Sequence, residues 1–241
     1  MIMKISKIIC LFAVLSVISA VYAQDERRQW AIDTNIGFTF FKIKQNPINH
    51  LSSKHGKVTY LGAEYYIPDT HFSLRLGYQN EKIKIIRDMV APVQESVSAG
   101  GRWYPAPYEW RIQPYLGANT NVYFSGNQNS KWWNQNKGIT TEYNCSVKAP
   151  VISFAPSVGI DLYIFSSIAL YINYSYNIGV GSKYDINYSQ NNQEPTRITG
   201  NINHQNLQLG IKINFPFIWS EEDSEGLGEA LMDILFGTDN H

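Results

Sequence analysis

The feature that most constrains this chain is a period-two alternation of apolar and polar residues that recurs between Trp30 and Phe215. Successive side chains of a β-strand point to opposite faces, so this period is typical of strands with one apolar and one polar side. The alternating segments are residues 30–40, 58–67, 72–79, 95–104, 112–124, 151–164, 168–180 and 206–215. The pattern therefore predicts an all-β fold built from eight strands.

The connections between these segments are alternately short and long. Three are short turns, at residues 68–71, 105–109 and 165–167, and four are long and polar, at roughly 42–57, 79–94, 125–149 and 181–205. Short turns at one end and long loops at the other are the layout of an eight-stranded antiparallel up-and-down transmembrane β-barrel, with periplasmic turns and outer loops. Both chain termini are then expected on the periplasmic side.

The side chains themselves indicate which face lines the barrel. The apolar faces carry about thirty large side chains, too many for the interior of an eight-stranded barrel. Each polar face carries a glycine, and small residues relieve crowding on a narrow inner wall. These glycines are Gly37, Gly62, Gly77, Gly100, Gly117, Gly159, Gly179 and Gly210. We therefore expect a polar lumen and a lipid-facing apolar wall; a soluble lipocalin-like carrier, an alternative interpretation, would need the reverse.

The N-terminus has the pattern of a secretory signal peptide over residues 1–23. Lys4 and Lys7 precede an apolar stretch from Ile8 to Ala20, and Val21-Tyr22-Ala23 provides the small-residue cleavage pattern. The expected divisions are a signal peptide (1–23), an outer-membrane barrel (24–216) and an acidic periplasmic tail (217–241). After cleavage Cys145 is the single remaining cysteine, so no intramolecular disulfide can form.

The tail differs in composition from the predicted barrel. It contains acidic residues and no Lys or Arg, and its apolar residues from Leu227 to Leu235 recur at helical spacing. We expect a short C-terminal amphipathic helix. It could contact a periplasmic partner, cap the barrel mouth or simply fray.

Six charged residues fall on the predicted inner face. Charges enclosed by a narrow wall must pair, because an isolated buried ion costs several kcal/mol. We expect a lumen ion-pair network that plugs the barrel, with a narrow porin-like channel for small solutes or ions as the alternative. The predicted network consists of Asp33, Glu64, Arg75, Arg102, Asp161 and Lys212.

Two further features agree with a membrane barrel. Trp30, Trp103, Trp110 and Trp219 fall at predicted periplasmic strand ends, as an interfacial aromatic girdle would. The last strand is similar to the β-signal of outer-membrane proteins, which has a polar residue, a glycine and two apolar residues at set spacing. The matching residues are Gln208, Gly210, Ile213 and Phe215.

Over residues 29–216 the chain resembles the small eight-stranded outer-membrane barrels of the OmpA/OmpX kind, the porin-like barrel domains. The resemblance implies insertion by the barrel-assembly machinery, a monomeric or weakly oligomeric state and little or no open pore, with a possible salt-bridge gate. It further implies a role in envelope integrity or surface interaction. Pro156 departs from the pattern, because it lies in mid-strand without a ladder donor, and we expect a bulge there.

Other functions find little support in the sequence. The formal net charge is zero, which argues against a general nucleic-acid binder. The single His-x-Ser, at His71 and Ser73, falls at a periplasmic turn, so we expect no enzyme. No cysteine–histidine cluster predicts a metal site, and no cofactor is expected. Trp132 and Trp133 stand out in a polar outer loop, where they could bind a surface ligand or rest on the barrel rim.

Overall fold

The computed structural model describes residues 28–41, 55–86, 89–106, 110–124, 126–136, 139–190 and 193–217. Within these ranges the chain forms twelve β-strands. Eight of them build a barrel: β1 (Trp30–Phe41), β2 (Gly56–Tyr66), β3 (Phe72–Ile86), β4 (Met89–Trp103), β5 (Ile112–Tyr123), β8 (Ile152–Phe165), β9 (Ile168–Val180) and β12 (Asn203–Phe215). The other four form a separate sheet: β6 (Gln128–Asn136), β7 (Ile139–Lys148), β10 (Lys183–Gln190) and β11 (Thr196–Gly200).

The barrel is closed and antiparallel throughout, in the strand order β1-β12-β9-β8-β5-β4-β3-β2. The first and last strands complete the ring, with Trp30 opposite Phe215 and Asp33 opposite Lys212. Closure leaves no strand edge unpaired around the ring, which is what a sheet in lipid requires. The predicted fold class, an eight-stranded antiparallel barrel, is confirmed.

The two faces of the barrel wall differ as the alternation predicted. On the outside, Ile36 is 69% exposed and Leu76 is 60% exposed, whereas on the inside Asp33 and Lys212 are 0% exposed. The same alternation of exposed and buried side chains recurs in the described residues of all eight strands. The barrel is therefore apolar on its outer surface and polar in its interior.

The predicted long polar loops contain much more regular structure than expected. Strands β3 and β4 extend well beyond the predicted ends and pair up to Ile86 and Met89. Residues 125–149 and 181–205 contribute a four-stranded sheet in the order β11-β10-β7-β6, which we call the outer sheet. Its strands alternate as well, but their abundant Asn, Gln and Ser had suggested irregular loops.

One face of the outer sheet packs on the open end of the barrel. Phe41 of β1 and Ile83 of β3 join its buried residues in a single apolar cluster, and the Phe41 and Tyr184 rings meet edge to face with centres 5.6 Å apart. The remaining members of this cap cluster are Tyr143, Cys145, Val147, Ile186, Ile198 and Ile202. The sheet thus covers the barrel mouth at the end opposite the short turns.

The expectation of a bulge at Pro156 was wrong. Phe154 pairs with Ile178 and Ser157 with Ser175, so the register between β8 and β9 is the same on both sides of the proline. The ladder omits the two pairs between them instead, while Pro156 stays in register with Ala118 of β5. The missing proline donor therefore interrupts one ladder locally without adding a residue.

Several sequence predictions fall on residues outside the described ranges. They are the signal peptide (1–23), the acidic tail beyond Phe217 with its helix, and Trp219. Among the described residues, no helix is long and apolar enough to cross a membrane.

Candidate functional site: the barrel lumen and its cap

The structure brings the six inner charges of the sequence analysis into one cluster, near the short-turn end of the lumen. Arg75 forms an ion pair with Asp33, and Lys212 forms one with Asp161. Glu64 Oε2 lies 3.0 Å from Arg102 Nη1 and 2.9 Å from Lys212 Nζ. All six residues are buried, with Arg75 the most exposed at 6%. Three carboxylates face three cations, so the cluster is neutral and each charge has a partner.

A tyrosine that the sequence analysis overlooked lies at the centre of this charge cluster. The Tyr104 hydroxyl accepts a hydrogen bond from Lys212 Nζ at 2.9 Å and donates one to Glu64 Oε1 at 2.8 Å. It also lies 3.2 Å from Asp161 Oδ2. Ser73 Oγ donates a further hydrogen bond to Glu64. Neutral hydroxyl groups therefore add hydrogen bonds to two of the buried carboxylates, Glu64 and Asp161.

Inner-face tyrosines fill the space above four of the eight inner-face glycines, namely Gly62, Gly77, Gly159 and Gly210. A Cβ atom added at Gly62 would lie 2.1 Å from the Tyr60 hydroxyl, and one at Gly159 would lie 2.3 Å from the Tyr115 ring. The rings also cover the cations, since the Arg102 guanidinium lies 4.1 Å from the centre of the Tyr115 ring. At these four positions glycine is needed because an aromatic ring lies directly over the strand backbone.

An amide layer lies above the charge cluster. Gln208 Nε2 donates to Asn35 Oδ1 at 2.9 Å, and Asn173 Nδ2 donates to Gln208 Oε1 at 2.7 Å. Asn35 in turn donates to the Tyr171 hydroxyl at 2.7 Å. The cavity beside this layer has room for roughly one water molecule. At this level the described side chains therefore leave little free volume in the lumen.

A second acidic centre, which was not predicted from the sequence, lies closer to the cap. Glu81 Oε2 is 3.0 Å from His204 Nε2, and Glu81 Oε1 accepts hydrogen bonds from Gln79 (2.6 Å) and from Asn206. His204 falls within the predicted outer loop 181–205, but it lies inside the barrel and is 2% exposed. The alternation along each strand would have predicted that both side chains face the lumen. Glu81 follows the inward-facing residues of β3 at the same spacing of two, and His204 precedes those of β12 in the same way.

The other predicted residues occupy both ends of the molecule. Gln208 and Gly210 of the β-signal face the lumen, while Ile213 and Phe215 lie on the outer face of β12 near the short-turn end. Trp30, Trp103 and Trp110 are 52%, 40% and 59% exposed at that same end. Trp133 lies on the exposed face of edge strand β6 and is 65% exposed. The backbone of Trp132 pairs with Tyr143.

The serine of the His-x-Ser pair faces the lumen. Ser73 is 1% exposed and its hydroxyl is engaged with Glu64 inside the lumen. Within the described ranges, no group of three or more His, Cys, Asp or Glu residues has a geometry that could hold a metal ion.

Two titratable groups in the outer sheet have shifted pKa values. Burial in the cap cluster, together with the nearby Asp185 carboxylate, raises the pKa of the Cys145 thiol to about 12. On the opposite face, a hydrogen bond from Arg197 lowers the pKa of Asp185 below its ordinary value. The thiol is therefore protonated at neutral pH, whereas Asp185 is ionised.

An apolar outer wall around a packed, charge-paired interior defines this molecule as an eight-stranded transmembrane β-barrel. No family model and no curated protein matches the sequence. Among solved structures, the chain is similar to Neisserial surface protein A (NspA), at 15% identity and a TM-score of 0.48, over 77% of this chain and 97% of that one.

It is also similar to the N-terminal β-barrel domain of Pseudomonas aeruginosa OprF, at 12% identity and a TM-score of 0.40, over 78% and 100% of the two chains. A third similar structure is the outer membrane protein AlkL, at 12% identity and a TM-score of 0.41, over 80% and 93%. Likeness at this level concerns the fold alone. Function has to be inferred from this chain's own residues.

Proposed function

We propose that this chain is a bacterial outer-membrane barrel with a sealed lumen, which serves envelope integrity or surface interaction through its outer sheet. The observation that carries the proposal is the reversed polarity of the barrel. Large apolar residues such as Ile36, Leu61 and Leu209 are exposed all around the outside, whereas charges fill the inside. A soluble barrel with this outer surface would aggregate, but a lipid bilayer covers it.

The expected orientation places the short turns and both chain termini in the periplasm, and the outer sheet outside the cell. The exposed tryptophans at the short-turn end, Trp30, Trp103 and Trp110, support this orientation as an interfacial girdle. Export would begin with cleavage after Ala23, and the β-signal of the last strand would be recognised by the barrel-assembly machinery. The acidic tail would then remain in the periplasm, where it could meet a partner.

Sealing of the lumen is supported at three levels. The charge cluster and its tyrosines fill the short-turn end, the amide layer fills the middle, and the cap cluster covers the other mouth. A solute would have to separate several buried ion pairs to pass, and each broken pair leaves an uncompensated charge. With the lumen closed, the outer sheet is the part of the barrel that is available to contact other molecules.

Two measurements test this proposal. Cell fractionation should recover the protein in the outer membrane with heat-modifiable migration on gels, whereas recovery in the soluble periplasm would favour the lipocalin-like carrier. Planar-bilayer recording of the purified barrel should show no steady conductance. A stable conductance in the nanosiemens range would refute the sealed lumen and favour the narrow channel.

A further inference from the structure

The exposed face of the outer sheet is a regular grid of polar side chains. The cap cluster packs against the other face, so this face points away from the barrel. In one row across the four strands, Lys131 is opposite Asn144, Asn144 is opposite Asn187, and Asn187 is opposite Arg197. With a strand spacing of about 4.8 Å, such a row is about 14 Å long.

The rows on either side have the same character. One row consists of Asn129, Ser146, Asp185 and Thr199, and the other of Trp133, Glu142 and Ser189. Amides, hydroxyls and carboxylates at regular spacing match the alternating donors and acceptors of sugar hydroxyl groups. The exposed indole of Trp133 at the edge offers a flat apolar surface on which a sugar ring can stack.

This face also carries an excess of positive charge. Lys148 and Lys183 are directly opposite each other in the row nearest the barrel, and the repulsion between their like charges makes this arrangement unfavourable. Among the described residues, neither forms an ion pair within 4 Å, and the same holds for Lys131. Arg197 is paired with Asp185. An anionic ligand would relieve the repulsion between the two lysines.

We propose that the exposed face of the outer sheet binds an acidic oligosaccharide, with Trp133 stacking on a sugar ring and Lys131, Lys148 and Lys183 contacting its anionic groups. This inference rests on the proposed surface role of the barrel and names the ligand class. A protein partner fits less well, because the described residues on this face include no aliphatic side chain and protein interfaces have an apolar centre. A lipid fits less well because the face is polar and points away from the membrane-spanning wall.

The test uses the full-length protein, refolded in detergent micelles, with hexagalacturonate as the acidic probe and maltohexaose as the neutral probe, measured by calorimetry. Hexagalacturonate should bind, and maltohexaose should bind at least about tenfold more weakly. Trp133→Ala and the double variant Lys148→Gln/Lys183→Gln should each weaken hexagalacturonate about tenfold. The matched controls Trp110→Ala and Lys57→Gln alter an exposed tryptophan and an exposed lysine outside the sheet, and should bind as wild type.

Three results would overturn the proposal: no binding of hexagalacturonate, equal binding of maltohexaose, or equal binding of a DNA hexamer, which would mean that charge alone is recognised. Heat-modifiable migration of every variant reports whether the barrel is folded. If the protein is recovered as a folded outer-membrane barrel and does not bind hexagalacturonate, this inference is refuted but the proposed function is not. Comparison with core oligosaccharide released from lipopolysaccharide distinguishes an envelope source of the ligand from a foreign one, according to which binds more tightly.

Discussion

The substitution Lys212→Met tests the charge cluster most directly. Lys212 is 0% exposed, and its ammonium group contacts Glu64 at 2.9 Å, Asp161 and the Tyr104 hydroxyl at 2.9 Å. Methionine has a similar shape but removes the charge, so three carboxylates then face only two cations. Breaking a buried pair by removing one partner costs about 3–5 kcal/mol, because an uncompensated charge stays behind. We expect that loss in the free energy of unfolding.

The assay is urea unfolding of the barrel in phospholipid vesicles, followed by tryptophan fluorescence and by heat-modifiable migration. Lys82→Met, which removes an exposed lysine from the outer face of β3, is the control and should change stability by less than about 0.5 kcal/mol. The double variant Lys212→Met/Asp161→Asn restores neutrality and should recover at least about 1 kcal/mol relative to the sum of the single variants. A loss below about 1 kcal/mol for Lys212→Met, or strict additivity in the double variant, would refute the reasoning.

Three further predictions concern other parts of the molecule. Gly159→Val should destabilise the barrel by about 1–3 kcal/mol in the same urea assay because its Cβ would lie 2.3 Å from a tyrosine ring, whereas Gly126→Val, with nothing within 4 Å, should have little effect. The Cys145 thiol, fully buried with a pKa of about 12, should react with a maleimide at pH 7 only after unfolding; rapid labelling of the folded protein would contradict the capped mouth. Because Arg197 lowers the pKa of Asp185 in the folded state, its contribution to stability should be present above the unfolded pKa of about 3.9 and be lost as pH falls through the lower folded value. Acid titration of Asp185→Asn should therefore show a flatter pH dependence than wild type below about pH 4, and identical curves would count against the pair.

The barrel itself could be predicted well from the sequence, and Trp30 to Phe41 shows why. Successive side chains of a strand alternate between its two faces, so every second residue lies on the same face. The large volume of the apolar side chains then indicated that the polar face lines the lumen. The same parity assigned Asp33, Glu64 and Lys212 to the lumen before any contact was known. Enclosure by a narrow wall then required that they lie near opposite charges.

The inner tyrosines and the second acidic centre were missed for a different reason. Tyr115 and Tyr171 have the same parity as their strands' inner residues, but an apolar ring on a polar face was not counted as part of the lumen. Glu81 and His204 were missed because the strands were ended too early, at the first run of polar residues. In a barrel with a polar lumen, polarity does not mark the end of a strand.

The sequence by itself determined the number of barrel strands, the faces they present and the identity of the six inner charges. The alternation of residues is a local property of each strand, and closure into a narrow ring is a geometric constraint on which face can lie inside. Only the tertiary structure decided which charges pair, that Tyr104 joins them, and that β6, β7, β10 and β11 form a sheet over the mouth. Pairing depends on the register between strands that are distant in the chain, such as β2 and β12, which lie on either side of β1. The alternation within one strand specifies a face but carries no information about which distant side chain lies opposite it.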